Sequence, residues 1–250
     1  MRSPRLLRDS LARQGDWLFR WRSYIPLLLV PPVAADLLSF RFPLDSPLLD
    51  EILEGMCFAI AFCGLAVRGL VAGYAPRGTS GRITSGQKAA ELNTAGMYSL
   101  CRNPLYLGNF LMGFGVLLFL HSFVVQTLYV LTFFLYYERI IMREEEFLHG
   151  KFGQDYLRWA DHTPAIVPRF RAWRRPALSF SWRTILRREY TSFFAVAAIM
   201  TAFEVVGDTI LEGRFTFEPE WRAFFGFSLA FYLACMFLKK GTRLLHVPGR

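Results

Sequence analysis

Residues 98–108 read Tyr98-Ser99-Leu100-Cys101-Arg102-Asn103-Pro104-Leu105-Tyr106-Leu107-Gly108, and the chain returns to polar sequence at Arg143-Glu144-Glu145-Glu146-Phe147-Leu148. Between the two stand apolar segments 104–120 and 123–142, separated by little more than His121 and Ser122. A lipid-spanning helix needs about 20 mostly apolar residues. The pair therefore reads as a membrane hairpin with a polar cluster at each foot. Such an arrangement can hold a water-soluble molecule against a lipid, and the rest of the chain is read outward from it.

The 250 residues are 53% hydrophobic, 16% aromatic and only 20% charged, with positive mean hydropathy. That composition points to an all-α, polytopic membrane helical bundle. Apolar stretches at 24–40, 52–75, 104–120, 123–142, 190–211 and 221–238 predict about six transmembrane helices. The third is short and the first carries Pro26, Pro31 and Pro32. A formal charge of +9 raises the question of nucleic acid, but the basic residues follow the spans. Six arginines precede the first span, and most others fall between the second and third spans, between 139 and 188, or after the last. The intervening loops hold Asp45, Asp50, Glu51, Glu212, Glu218 and Glu220. This is the positive-inside pattern, with both termini cytoplasmic, and the basic surface would meet anionic inner-leaflet lipids rather than nucleic acid. A bacterial inner membrane is favoured over the endoplasmic reticulum. The Arg-rich start does not read as a signal peptide, because proline interrupts its apolar run. Cys57, Cys63, Cys101 and Cys235 have no CxxC or zinc spacing, so they read as free packing residues and no metal is expected.

Four regions follow. Residues 1–23 place Leu7, Leu11, Leu18, Trp17 and Trp21 among arginines, as in an interfacial amphipathic helix; a disordered basic arm is the alternative. Residues 24–95 hold two spans and a Gly/Ser/Thr-rich basic loop. Arg68 lies within the second of these spans, where it either snorkels to the headgroups or receives an anionic lipid head. Arg77, Arg82 and Lys88 stand in the loop among glycines and hydroxyls that suit phosphate or carboxylate, although a plain connector fits as well. Residues 96–169 form the core. Asn103-Pro104 places an N-cap and a favoured first residue at the start of the third span, with its free amides facing the cytoplasm. Leu148, Phe152, Tyr156 and Trp159 recur at helical spacing, predicting a cytoplasmic amphipathic helix that folds back over the site. Gly108, Gly113 and Gly115 suit close helix packing. Residues 170–250 hold a basic, aromatic interfacial segment and two further spans, with Glu204 and Asp208 toward the far end.

The core resembles the isoprenylcysteine carboxyl methyltransferase and phospholipid methyltransferase superfamily. The resemblance lies in Arg102, Pro104, Tyr106 and Gly108, the hydrophobic hairpin, the paired Glu144-Glu145, then Leu148, Phe152-Gly153, Tyr156 and the prolines Pro164 and Pro168. It implies methyl transfer from S-adenosylmethionine, with S-adenosylhomocysteine as product, to the polar head of a membrane-embedded lipid or lipidated acceptor. Short cytoplasmic helices would cover the cofactor. Residue by residue it implies that Arg102, Asn103, Tyr106, Leu107, Gly108, Gly113, Gly115, Glu144 and Glu145 bind the cofactor. Arg102, Glu145 and Arg139 are the candidate catalytic residues. Asn103 departs from the family's usual histidine, removing any imidazole contact to the cofactor, and Glu146 is an extra acid.

Physical chemistry agrees with the implied reaction. A sulfonium becomes neutral as its methyl leaves, so the protein chiefly positions the reactants and shapes the local field. Glutamates can hold the donor's ammonium or ribose hydroxyls, and Arg102 or helix amides its carboxylate. A phosphate or carboxylate acceptor is nucleophilic at neutral pH and needs cations, whereas an amine needs a base. The cations Arg68, Arg77, Arg82, Lys88 and Arg139, with His149 as the one histidine close to the site, favour an anionic head. Arg68, Arg77, Arg82 and Lys88 are the candidate substrate-binding residues. The alternatives are an NADPH-dependent sterol-type membrane reductase and a non-catalytic lipid-binding protein.

Overall fold

The computed structural model describes residues 7–21, 24–38, 47–76 and 91–249, and among these residues helix is the only regular secondary structure. The chain is a polytopic helical bundle. In order, the helices are α1 (Leu7–Trp21), α2 (Val30–Leu37), α3 (Pro47–Tyr74), α4 (Met97–Leu100), α5 (Pro104–Leu118), α6 (Phe123–Phe152), α7 (Gln154–His162), α8 (Trp182–Glu212) and α9 (Pro219–Gly241). By length and composition, Glu51–Tyr74 in α3, α6, α8 and α9 can each cross a membrane. The two weaker spans appear as shorter apolar helices, Ile25–Leu37 and Pro104–Leu118. Proline explains the first: a 3₁₀ turn at Ile25–Leu29 leads into α2, with Pro26 and Pro31 at the starts of the two pieces.

Helix α5 packs against α3 through small residues. A Cβ added at Gly115 would lie 2.5 Å from the Ala61 backbone nitrogen and 2.7 Å from the Cys57 carbonyl oxygen. One added at Gly64 would lie 2.6 Å from the Gly108 carbonyl oxygen. Only glycine permits so close an approach, and in lipid close packing takes over much of the role that water exclusion plays in soluble proteins. Beyond this seam Cys57, Ala61, Val116, Phe119, Val196, Met200 and Trp221 form one buried cluster joining α3, α5, α8 and α9. An aromatic seam that includes Phe110, Tyr129, Phe133 and Tyr137 binds α5 to α6. Helices α8 and α9 meet through pairs such as Phe193 with Phe231, ring centroids 5.2 Å apart.

The first described residues, Leu7–Trp21, are helical. Helix α1 lies along the polar half of α6, where the Tyr136 hydroxyl donates to the Leu18 carbonyl at 3.2 Å. Trp17 and Trp21 stay exposed, as an interfacial helix requires. The expected amphipathic helix after residue 148 is divided differently. Helix α6 runs past its apolar part to Phe152, carrying Leu148 and Phe152, and α7 carries Tyr156 and Trp159. The break falls at Gly153, whose φ of 53° is a left-handed conformation that glycine adopts without strain.

Candidate active site

The polar site forms where α5 begins and α6 ends. Arg102 precedes α5, and an Nη of its guanidinium lies 3.3 Å from Glu145 Oε1 on α6. Tyr106, one turn into α5, donates from its hydroxyl to Glu144 Oε1 at 2.7 Å. Glu144 and Glu145 are successive residues on one helix, so they face about 100° apart; each takes a different partner from the same short stretch of α5. The two feet of the hairpin thus meet, as the sequence predicts.

A strap from 163 to 176 holds the start of α5 in place. It runs back along residues 96–103, with backbone bonds from the amides of Arg102 to Pro164 (2.8 Å), Asn103 to Ala165 (3.1 Å), Arg169 to Leu100 (3.0 Å) and Gly96 to Arg174 (2.8 Å). Asn103 occupies the N-cap position of α5, but its side chain makes no cap hydrogen bond. Its Nδ2 donates to the Ala165 carbonyl at 3.1 Å instead. The expectation of an Asn side-chain cap is therefore corrected: the strap offers a carbonyl acceptor, and the amide takes it. Helix α7 covers the site from the side, its Trp159 Nε1 donating to the Tyr98 carbonyl at 3.3 Å.

Tyr156, on α7, stands beside Glu145, and the sequence reading did not include it among the site residues. It is buried. Burial first, and then the Glu145 carboxylate beside it, hold its hydroxyl above the ordinary tyrosine range. It therefore stays a neutral hydrogen-bond donor at the carboxylate. Its place in the resemblance, after Phe152-Gly153, was the available signal. Cys101, also buried, has its thiol pushed up to about 11 by burial, so it is a packing residue rather than a nucleophile.

Other expected residues lie elsewhere. Arg139 is turned toward α1, donating from Nε to Gln14 Oε1 at 2.9 Å and from Nη1 to the Leu135 carbonyl. Six residues of helix separate it from Glu145, which puts the two on different faces. Its neighbour Arg143 likewise pairs with Asp16 at 2.7 Å. Arg68 is turned into the bundle, where Glu189 of α8 pairs with it at 2.8 and 3.0 Å. Glu189 was hidden in a basic stretch of sequence, among Arg183, Arg187 and Arg188. Gly108 faces α3, and a Cβ there would come 2.6 Å from Arg68 Cγ. Gly115 faces α3 as well, and Gly113 makes room for the Tyr129 hydroxyl. The three glycines thus serve close packing. Leu107 lies in the first turn of α5, its amide bonded to the Asn103 carbonyl. Arg77, Arg82 and Lys88 lie outside the described residues.

Two atoms of the site stand out chemically. Arg102 Nε and Glu145 Oε1 are both buried and make no hydrogen bond within the protein; the 3.3 Å ion pair is a contact of charges without hydrogen-bond geometry. A buried donor and a buried acceptor without hydrogen bonds cost about 1–3 kcal/mol each unless a ligand satisfies them. The set of one guanidinium, two carboxylates and two phenols fits a zwitterionic amino-acid group with neighbouring hydroxyls.

The phospholipid methyltransferase family matches residues 58–155. The chain is 39% identical over 90 residues to the cobalt-zinc-cadmium resistance protein CzcN of Cupriavidus metallidurans, covering 36% of this chain and 41% of that protein. It is 38% identical over 92 residues to the nickel-cobalt-cadmium resistance protein NccN of Alcaligenes xylosoxydans xylosoxydans, covering 36% and 42%. It is 31% identical over 77 residues to the protein-S-isoprenylcysteine O-methyltransferase of Schizosaccharomyces pombe, covering 31% and 33%. The chain thus matches well under half the length of each of these relatives. No solved structure matches it. The matched segment contains α5 and α6 with Arg102, Tyr106, Glu144 and Glu145, and over it the chain is similar to integral membrane methyltransferases.

Proposed function

We propose that the protein transfers a methyl group from S-adenosylmethionine to the polar head of a lipid or lipidated acceptor held in the membrane, with an anionic phosphate or carboxylate head favoured. The observation that carries this reading is the incomplete Arg102–Glu145 pair at the foot of the hairpin. When bound, the donor supplies an electrophilic methyl group on a sulfonium. Arg102 would hold its carboxylate, and Glu144 and Glu145 its ammonium or ribose hydroxyls. Tyr106 and Tyr156 orient the two glutamates as neutral donors, and α7 with the strap flanks the pair. The basic loops put this end of the bundle on the cytoplasmic side, where a soluble donor is available.

An oxygen anion needs no base, and the site supports this acceptor class through what it contains. His149 is exposed, with its ring 6.4 Å from that of Tyr156, and His162 is exposed too. Glu144 and Glu145 are engaged by Tyr106 and Arg102. With Arg68 and Arg139 paired elsewhere, recognition of the anionic head falls to Arg77, Arg82 and Lys88. The exposed Phe170, Trp173 and Trp182, set among arginines, suit contact with anionic inner-leaflet lipids. Methylating an anionic head removes a charge that attracts divalent cations. That consequence is compatible with the names of the two metal-resistance relatives.

The test is lipid mass spectrometry of cells with and without the protein, together with titration of the purified protein with S-adenosylhomocysteine and with NADPH. An anionic lipid species heavier by one CH₂, and binding of S-adenosylhomocysteine alone, are expected. Methylation confined to phosphatidylethanolamine overturns the acceptor class, and binding of NADPH alone overturns the reaction.

A further inference from the structure

The last two helices lie outside the matched segment 58–155, yet α8 sends one acid into the bundle. Glu189 is 6% exposed. It receives Arg68 through Nε at 2.8 Å and Nη2 at 3.0 Å. The third guanidinium nitrogen, Nη1, donates to Asn109 Oδ1. With its oxygen committed, the Asn109 amide turns Nδ2 toward the Tyr137 hydroxyl, 3.3 Å away. The Tyr137 ring packs on that of Tyr106, centroids 4.6 Å apart, and the Tyr106 hydroxyl bonds Glu144. The absence of a side chain at Gly108 is what lets the Arg68 stem pass. One continuous set of contacts therefore runs from α8 through α3, α5 and α6 into the site.

We propose that Glu189 is a positioning residue for the donor site: by fixing the fork of Arg68 it orients Asn109 and Tyr137, and through the Tyr137 ring it sets Tyr106 against Glu144. This rests on the reading of the Arg102–Glu145 end as the donor site. The physical reason is the medium. In a lipid-embedded bundle no water replaces a lost partner, so an Arg68 without its anion swings toward the interface. Asn109 then loses the bond that selects its amide orientation, and the Tyr137 hydroxyl its donor. Arg68, Asn109, Tyr137 and Tyr106 stand between Glu189 and Glu144 along this chain of contacts, so its effect falls on how well the donor is held. The α8–α9 pair is on this account a part of the enzyme's site and not an appendage.

The experiment is steady-state kinetics and S-adenosylhomocysteine titration of Glu189→Gln, Glu189→Asp, Tyr106→Phe and the Glu189→Gln/Tyr106→Phe double variant. For Glu189→Gln the donor KM rises and S-adenosylhomocysteine affinity falls, both roughly tenfold, while kcat at saturating donor stays near wild type. Glu189→Asp recovers part of the loss, and adding Tyr106→Phe to Glu189→Gln changes KM little further. A purely structural role would lower the amount of active protein and leave KM unchanged, and that result, or additive effects in the double variant, overturns the proposal. If Glu189→Gln does not fold, Arg68→Met/Glu189→Leu replaces the ion pair by apolar bulk; a raised KM in this variant supports the proposal and a wild-type KM overturns it. If the wild-type protein binds no S-adenosylhomocysteine, the donor reading fails by itself. Melting temperatures of the same set then decide the positioning: shifts for Glu189→Gln and Tyr106→Phe that depart from additivity by more than about 2 °C support the linkage, and additive shifts overturn it.

Discussion

Two arginine–glutamate pairs stand at the same end of the bundle and are built to different degrees. Arg68 and Glu189 meet through two hydrogen bonds, with Asn109 on the remaining nitrogen, and their side chains are 15% and 8% exposed. Arg102 and Glu145 meet at 3.3 Å without hydrogen-bond geometry, at 21% and 31% exposure, and leave Arg102 Nε and Glu145 Oε1 buried without hydrogen bonds. The first pair is complete in the protein alone. The second leaves one donor and one acceptor unsatisfied within the protein.

The largest expected effect tests the finished pair. Arg68→Met leaves the Glu189 carboxylate buried without its cation and should lower stability by about 3–5 kcal/mol, read as a fall in melting temperature of the detergent-solubilised protein. Arg68→Met/Glu189→Leu should recover most of that loss. If the double variant is no more stable than the single one, the pair is not the closed unit that its geometry describes.

Glu145→Ala tests the unfinished pair and should behave in the opposite way. Binding of S-adenosylhomocysteine, followed by calorimetry, should fall at least about a hundredfold, near 3 kcal/mol. Stability should change by less than about 1 kcal/mol, because Arg102 is exposed enough to hydrate. Unchanged binding would remove Glu145 from the site.

How much of this was legible in the sequence follows the same division. The hairpin, the count of apolar segments and the meeting of Arg102 with Glu145 could be read because each depends on residues close in sequence or on periodicity over a whole span. The partner of Arg68 was not legible because Glu189 lies 121 residues away, among three neighbouring arginines. Arg139 donates to Gln14 of α1, a long-range contact that its place on α6 does not announce. Asn103 sits where its sequence placed it, at the start of α5, but the strap that draws away its amide is a long-range contact with Ala165 that no local pattern announces. Gly108 and Gly115 show the converse: spacing pointed to packing, the cofactor role came from the resemblance alone, and the structure places both against α3.

The α3–α5 seam beneath both pairs supplies a middle-sized effect. Gly115→Ala places a methyl 2.5 Å from a backbone nitrogen of α3, so the helices must part. The expected cost is about 1–3 kcal/mol of stability, with donor binding retained, since the seam at Gly115 lies two turns farther along α5 than Gly108. Loss of binding out of proportion to stability would show that the seam, and not the finished pair, sets the geometry of the site.

The smallest effect concerns Tyr156, the neutral partner that the unfinished pair has in place of Asn109. Its hydroxyl is held above the ordinary value of about 10 by burial and by Glu145. A group whose pKa is raised on folding contributes its full stabilisation below the unfolded value and loses it only as pH climbs through the raised one. Between about pH 6 and pH 9 Tyr156 therefore remains protonated, and neither melting temperature nor S-adenosylhomocysteine affinity should show a transition that Tyr156→Phe removes. The substitution itself should cost about 0.5–1.5 kcal/mol in affinity, the worth of one neutral donor to a carboxylate that keeps its other contacts. A pH-dependent step in that window, abolished by Tyr156→Phe, would mean a phenolate beside Glu145. The pair would then be one of repelling anions and not an arginine site waiting for a zwitterion.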